Sequence, residues 1–310
     1  MINLRYHVVS LVAVFLALGV GVLMGSTVID RVTVDQLRNQ LDRVESSVKQ
    51  TRKENGQLAG RLRVWDQFAD QARDQVLRSR LQTVPVLIVG VDGIDHAPVD
   101  DLRRQLVNAQ ATFQGTIWLS NKLRLGSQSD TVSLAAALGV PADQPDVLRR
   151  LAVSRIAAVL DGTAPDPNPL PALRDAGFIH YDAPPVGSTT TALDARFAPL
   201  PATRFVVVSG AGAQIDDDTV AIPLVAQLGQ ARAAVLAAEA GQDTPGGRGV
   251  FVGRVRDSSD VASKVSTVDD LESFMGQTAS VLALADLGVA KVGHYGVGPA
   301  AQRLLPAPST

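Results

Sequence analysis

The 310-residue chain contains no cysteine. That absence excludes disulfide frameworks, zinc ribbons, iron–sulfur clusters and thiol catalysis. Neither sign of charge is in excess, with 29 basic against 31 acidic side chains. Bulk basicity therefore cannot hold a nucleic acid, and none is expected as a partner. Only 5 of the 29 basic residues are Lys, which with the abundant Ala reflects a GC-rich bacterial genome rather than a function. No G-x-S-x-G nucleophile elbow and no H-x-x-x-H pair occurs, so nothing in the sequence points to an enzyme.

Long hydrophobic runs are confined to one place. Residues 8–29, VVSLVAVFLALGVGVLMGSTVI, carry no formal charge. At 1.5 Å per residue this run reaches roughly 30 Å, the thickness of a bilayer's hydrocarbon core. Arg5 precedes it, and Asp30, Arg31 and Asp35 follow. The positive-inside rule then predicts residues 1–7 in the cytoplasm, residues 8–29 as a transmembrane anchor and the rest outside. A cleaved signal peptide is the competing reading, but the run exceeds a usual h-region and no clear A-x-A site follows. Gly21 and Gly25 make a G-x-x-x-G within the run, a spacing that lets two membrane helices approach closely.

Residues 30–82 read as a coiled-coil stalk. Val34, Leu37, Leu41, Val44, Val48, Thr51, Asn55, Leu58, Leu62, Trp65, Ala69, Ala72 and Val76 follow one another at alternating spacings of 3 and 4. That is the 3.5-residue period of a left-handed coiled coil, and β-branched Val at position a favours two strands. Asn55 also falls at a, where a buried polar pair fixes register. The prediction is a homodimer whose seam includes Leu37, Leu41, Val44, Val48, Asn55, Leu58, Leu62, Trp65 and Ala69. A long amphipathic helix folded onto its own head is the alternative. Gly56 and Gly60 soften the middle of the stalk, and the bulk of Trp65 and Phe68 leaves open packing of its far end against the head.

Residues 83–298 alternate apolar runs with amphipathic stretches. The runs are Val84–Val91, Ala111–Leu119, Phe178–Tyr181, Arg204–Ser209 and Gly249–Val255. Helices are expected at Pro98–Ala109, Asp130–Leu138, Asp146–Leu160, Thr219–Ala240 and Gln277–Leu287. The whole chain is thus predicted as a transmembrane helix, a long coiled-coil helix and a layered α/β domain with a mostly parallel sheet. Asp161–Pro171 and Ala183–Thr191 read as surface loops, and residues 299–310 as a flexible tail. Val208–Ala213 is Gly-rich but does not complete G-x-G-x-x-G, and the adjoining Asp216–Asp218 would repel phosphate; Asp217 or Asp218 is expected to cap a helix. Asp92 and Gly93 close the first strand at its carboxyl end, where open α/β sheets bind ligands, although a tight turn explains them equally well. His96, His180 and His294 are the candidate metal ligands, none with a partner at ligand spacing.

The end of the chain is the most specific part. Ser266-Thr-Val-Asp-Asp-Leu-Glu272, the Ala/Leu helix to Gly288 and Val292-Gly-His-Tyr-Gly-Val-Gly298 resemble the C-terminal signature of the mycobacterial copper transport protein family, the MctB-type copper transporters. The opening Met1–Gly19 resembles that family's amino terminus, and Phe178-Ile-His-Tyr181 also matches a family segment. The resemblance implies an actinobacterial envelope location, copper efflux and tolerance, copper as a possible ligand and an outer-membrane channel. The residues argue against a channel, since a barrel needs alternating strands and aromatic girdles and aromatics make up only 4%. Thiolate and thioether ligands for copper(I) are absent or isolated, with only 3 Met. Other members of the family are associated with cell separation and control of peptidoglycan hydrolases, so hydrolase partners are an alternative. His294 and Tyr295 lie among three glycines and are read either as a presented pair or as a loop that closes the last helix onto the sheet.

Overall fold

The computed structural model describes residues 4–163, 168–185, 190–241 and 250–307, with the side chains of 4, 26–35, 66, 70 and 74 left aside. One helix, α1 (Leu4–Leu77), contains both the apolar segment and the heptads. The chain divides into two compact units, Met1–Phe68 and Ala69–Thr310.

In the first unit, Arg5–Gly25 has a mean hydropathy of 2.6 over 21 residues, enough to cross a membrane, and none of it is buried. The side chains of Leu37, Leu41, Val44, Val48, Leu58, Leu62 and Trp65 are likewise exposed. Among the described residues, nothing outside the helix's own backbone lies within 4 Å of a Cβ built on Gly21, Gly25, Gly56 or Gly60.

In the second unit, the last turns of α1 belong to the head. Leu77 and Leu81 are fully buried, because both belong to one of the head's hydrophobic core clusters. The backbone then turns through left-handed Ser79 and Thr83 into β1 (Pro85–Val91). The sheet has seven strands in the order β3-β2-β1-β4-β5-β6-β7. They are β2 (Thr112–Leu119), β3 (Ile179–Asp182), β4 (Arg204–Gly210), β5 (Ala234–Ala240), β6 (Ser266–Val268) and β7 (His294–Tyr295). Among the described residues, only the β2–β3 pair is antiparallel. Helices cover both faces, which is why the central strands read as unbroken apolar runs. On one face lie α3 (Gln128–Leu138), α4 (Pro145–Leu160), α5 (Leu170–Asp175), α6 (Ala221–Gln230) and α7 (Val252–Asp257). The other carries α2 (Ala97–Asn108), α9 (Phe274–Leu287) and the end of α1. A short α8 (Ser259–Ala262) leads into β6.

Helix ends follow local chemistry. Ser127 accepts the Asp130 N–H at 3.1 Å to start α3, and left-handed Gly139 ends it. Ser273 accepts the Gly276 N–H at 2.9 Å at the start of α9.

Three expectations need correction. Thr219–Ala240 is not one helix but α6, a turn at left-handed Arg232 and the central strand β5. Gly249–Val255 is not a strand: Gly249 lies outside the described residues, and Val252 onwards is helical because Glu239 gathers the N–H groups of Val250, Phe251 and Val252. The α6 N-cap is Val220, without a side-chain bond, so neither Asp217 nor Asp218 caps it. Within residues 299–310, Gln302 N–H donates to the His294 carbonyl and the Arg303 carbonyl accepts from Gly296 N–H. The loop expectations at Asp161–Pro171 and Ala183–Thr191 fall partly outside the described residues.

Candidate functional site

Strand order reverses between β1 and β4, and ligands of doubly wound sheets bind in the crevice this opens at the carboxyl ends. Here the chain fills that crevice itself. A Cβ on Gly93 would meet the Gly212 carbonyl at 2.5 Å, and Gln214 N–H donates to the Asp92 carbonyl at 2.8 Å. The Asn121 amide bridges to Gln214 at 2.8 Å, and its N–H reaches the Asp92 carboxylate at 3.3 Å. Asp92 and Gly93 thus join two loops.

Beside this junction, a cavity of about 230 Å³ opens between Gly210–Ala213, Asp216, Asp217, Val250 and Arg254. Ser209 donates to the Asp217 carboxylate at 2.5 Å beneath it. Burial, helped by the charges of Glu239 and Asp216, pushes Asp217 up to about 6. Arg254 pairs with Asp218 at the rim. The lining is acidic, which disfavours a phosphate. A larger cavity of about 610 Å³ lies at the opposite, amino end of β4 and β5. Arg204 lines it, and its guanidinium donates to the Leu284 and Ala285 carbonyls at the end of α9.

His294 and Tyr295 sit on β7, three strands beyond β4, and so are not brought together with Asp92 and Gly93. Tyr295 is buried. The His294 ring faces the Thr267 hydroxyl at 3.0 Å, and burial plus the Arg256 charge lowers its pKa. The glycines around them wrap one carboxylate. Asp269 is fully buried, accepts the N–H groups of Val297 at 2.8 Å and Gly298 at 3.0 Å, and pairs with Arg256 at 2.6 Å. A Cβ on Gly296, whose φ is +126°, would lie 2.1 Å from that carboxylate. Arg256 also donates to Thr267 at 2.8 Å, to the Tyr295 carbonyl at 2.8 Å and to the Pro299 carbonyl at 2.9 Å. The signature read from the sequence is therefore a latch that fastens the chain's end to β6. Arg256 and Asp269, its centre, went unnoticed in the sequence; three glycines within six residues were the available signal that backbone there crowds something.

His96 and His180 do meet a common neighbour. The His96 ring stacks on Trp118 at 4.2 Å between centroids and 7° between planes, and His180 is the cross-strand partner of Trp118. Among the described residues, no group of three or more His, Cys, Asp or Glu is gathered as a metal site.

A sequence model described as "Copper transport outer membrane protein, MctB" matches residues 1–306. The chain belongs to this family. It is 27% identical to "Copper transporter MctB" of Mycobacterium tuberculosis (strain ATCC 25618 / H37Rv), over 96% of this chain and 97% of that protein. With the protein of that name from Mycobacterium leprae (strain TN) it shares 29% identity over the same fractions. The MctB match embraces the apolar helix, the heptads and the head together, so the latch at Asp269 lies inside the shared region.

Proposed function

We propose that the protein serves copper efflux and copper tolerance as a transport component of the cell envelope. The match to the MctB family along residues 1–306 carries this reading. The Arg5–Gly25 segment anchors the chain, with Arg5 and the amino end in the cytoplasm and the head outside. Its side chains are apolar apart from Ser10 and the flanking Arg5, Tyr6 and His7, and its one thioether is Met24 near the far end, so one such helix offers an ion no continuous path of ligands. Copper movement therefore falls to an assembly of copies or to a partner channel, with the head as the copper-handling part.

The exposed seam on α1 supplies the means of assembly. Seven apolar side chains at spacings of 3, 4 and their sums lie on one stripe, and burying each Leu or Val against a second copy contributes roughly 1.5–3 kcal/mol before ordering costs. Asn55 in that stripe would set the register. The test is copper tolerance. Deletion of the gene should lower the copper concentration that arrests growth, and the full chain supplied in trans should restore it; equal tolerance in both strains refutes the proposal.

A second reading uses the same seam as a dimer contact and makes the protein a non-enzymatic scaffold that controls peptidoglycan hydrolases in cell separation. Recovery of hydrolases on the full chain, lost when residues 36–65 are removed, is its expected signature. Recovery of none from an envelope extract rejects it.

A further inference from the structure

We propose that the cavity at the amino end of β4 and β5 binds a small organic monoanion, a carboxylate on an apolar body, through Arg204 and Arg232. The cavity measures about 610 Å³, within the range that holds small molecules. The end of α4 at Leu160 and Asp161, the turn at Arg232 between α6 and β5, and Gly288 after α9 surround it. Pro199, Leu200 and Pro201, with Leu160 and Leu287, give it an apolar wall. Arg204 reaches it from the first residue of β4. A side chain on Gly288 would strike the Arg204 Nη2, so glycine there keeps the guanidinium's path open.

Neither arginine has a carboxylate partner among the described residues. Arg204 is half-buried and spends Nη1 on the Leu284 and Ala285 carbonyls, which leaves Nε and Nη2. Burial lowers its pKa, with no neighbouring anion to offset the cost. Such a guanidinium attracts an anion, and its planar fork matches a carboxylate. Arg232 is exposed, and among the described residues its side chain makes no hydrogen bond or ion pair. The end of α6 does not need it, because the last carbonyls there accept the N–H groups of Ala231, Arg232 and Ala233. Asp161, the acidic member of the lining, turns its carboxylate to the Thr163 N–H at 2.8 Å. The carboxyl ends of α4, α6 and α9 meet at this cavity, and their partial negative charge opposes a dianion such as inorganic phosphate. A single negative charge on an apolar body fits what remains.

The probe is 4-fluorobenzoate, followed by fluorine NMR on the full chain in lipid nanodiscs, with empty nanodiscs as the blank. Its signal should shift or broaden saturably, and unlabelled benzoate should displace it. 4-Fluorobenzyl alcohol has the same ring without the charge and should bind at least about tenfold more weakly. Inorganic phosphate at the same concentration as benzoate should displace nothing. Arg232→Gln, at an exposed position, should keep the parental melting temperature and weaken binding by at least about fivefold. Arg204→Gln, which retains a donor for the Leu284 carbonyl, should remove saturable binding. A full chain that shows no saturation, an alcohol that binds as well as the acid, displacement by phosphate, or an unchanged affinity in Arg232→Gln overturns the proposal. The site and the copper reading stand or fall separately, since copper tolerance takes no part in this titration.

Discussion

Replacing Asp269 by Ala removes the anion that the end of the chain is built around. Its carboxylate is fully buried and has three partners: Arg256 at 2.6 Å and the N–H groups of Val297 and Gly298 at 2.8 and 3.0 Å. Truncation leaves a guanidinium uncompensated in the interior, which costs about 3–5 kcal/mol. Two backbone donors also lose their acceptor, at about 1–3 kcal/mol each if no water replaces it, although these losses do not add in full. For a head of this size, 3–5 kcal/mol lowers the melting temperature by about 10 °C. Asp269→Asn keeps an acceptor for the backbone and should lose less. Arg256→Met combined with Asp269→Leu removes both charges and should recover part of the loss, because a buried pair is often nearly neutral against apolar replacement. Thermal unfolding of the full chain in detergent, followed by near-ultraviolet circular dichroism, reads all three variants against the parent. An Ala variant that melts within about 2 °C of the parent refutes the reasoning.

Gly296→Ala should be comparably harmful, because φ is +126° and the new Cβ would meet Asp269 at 2.1 Å; urea unfolding checks it, with Gly253→Ala, where nothing lies within 4 Å, as the harmless control. Asp217 predicts a pH dependence: the folded protein holds its proton up to about pH 6, whereas the unfolded chain releases it near 3.8. The stability this gives is complete below pH 3.8 and is lost as pH rises to about 6, by about 3 kcal/mol, and Asp217→Asn should flatten that slope in unfolding curves across the range. Leu62→Asp on the exposed seam should convert a sedimenting dimer into a monomer. Since the chain has no cysteine, Arg232→Cys is a clean topology probe: an impermeant maleimide should label it in spheroplasts, while Asn3→Cys should react only after lysis.

The long features were legible because their signals are periodic or unbroken. The charge-free run gave the apolar helix, the 3.5-residue period gave the continuous α1, and Val84–Val91 gave the first strand almost to the residue. Strand β5 was not legible, since Ala-Val-Leu-Ala-Ala-Glu-Ala is rich in helix formers. Tertiary packing decides it: Ala238 and Ala240 lie in the core cluster with α9, where small side chains let a helix come close. β6 and β7, at three and two residues, carry too little pattern to read. The candidate ligands were named from residue type, but which of them share a neighbour depends on Gly90 and on an antiparallel edge strand that spacing cannot reveal. Likewise the Gly-rich end was visible, while the Asp269–Arg256 pair it encloses was not.

The most direct test of the account is the copper content of cells after a copper load, measured by mass spectrometry in the parent, the deletion strain and the deletion strain carrying the full chain. Copper should rise in the deletion strain and return to the parental level with the full chain. Equal copper in all three strains would contradict a role in copper efflux.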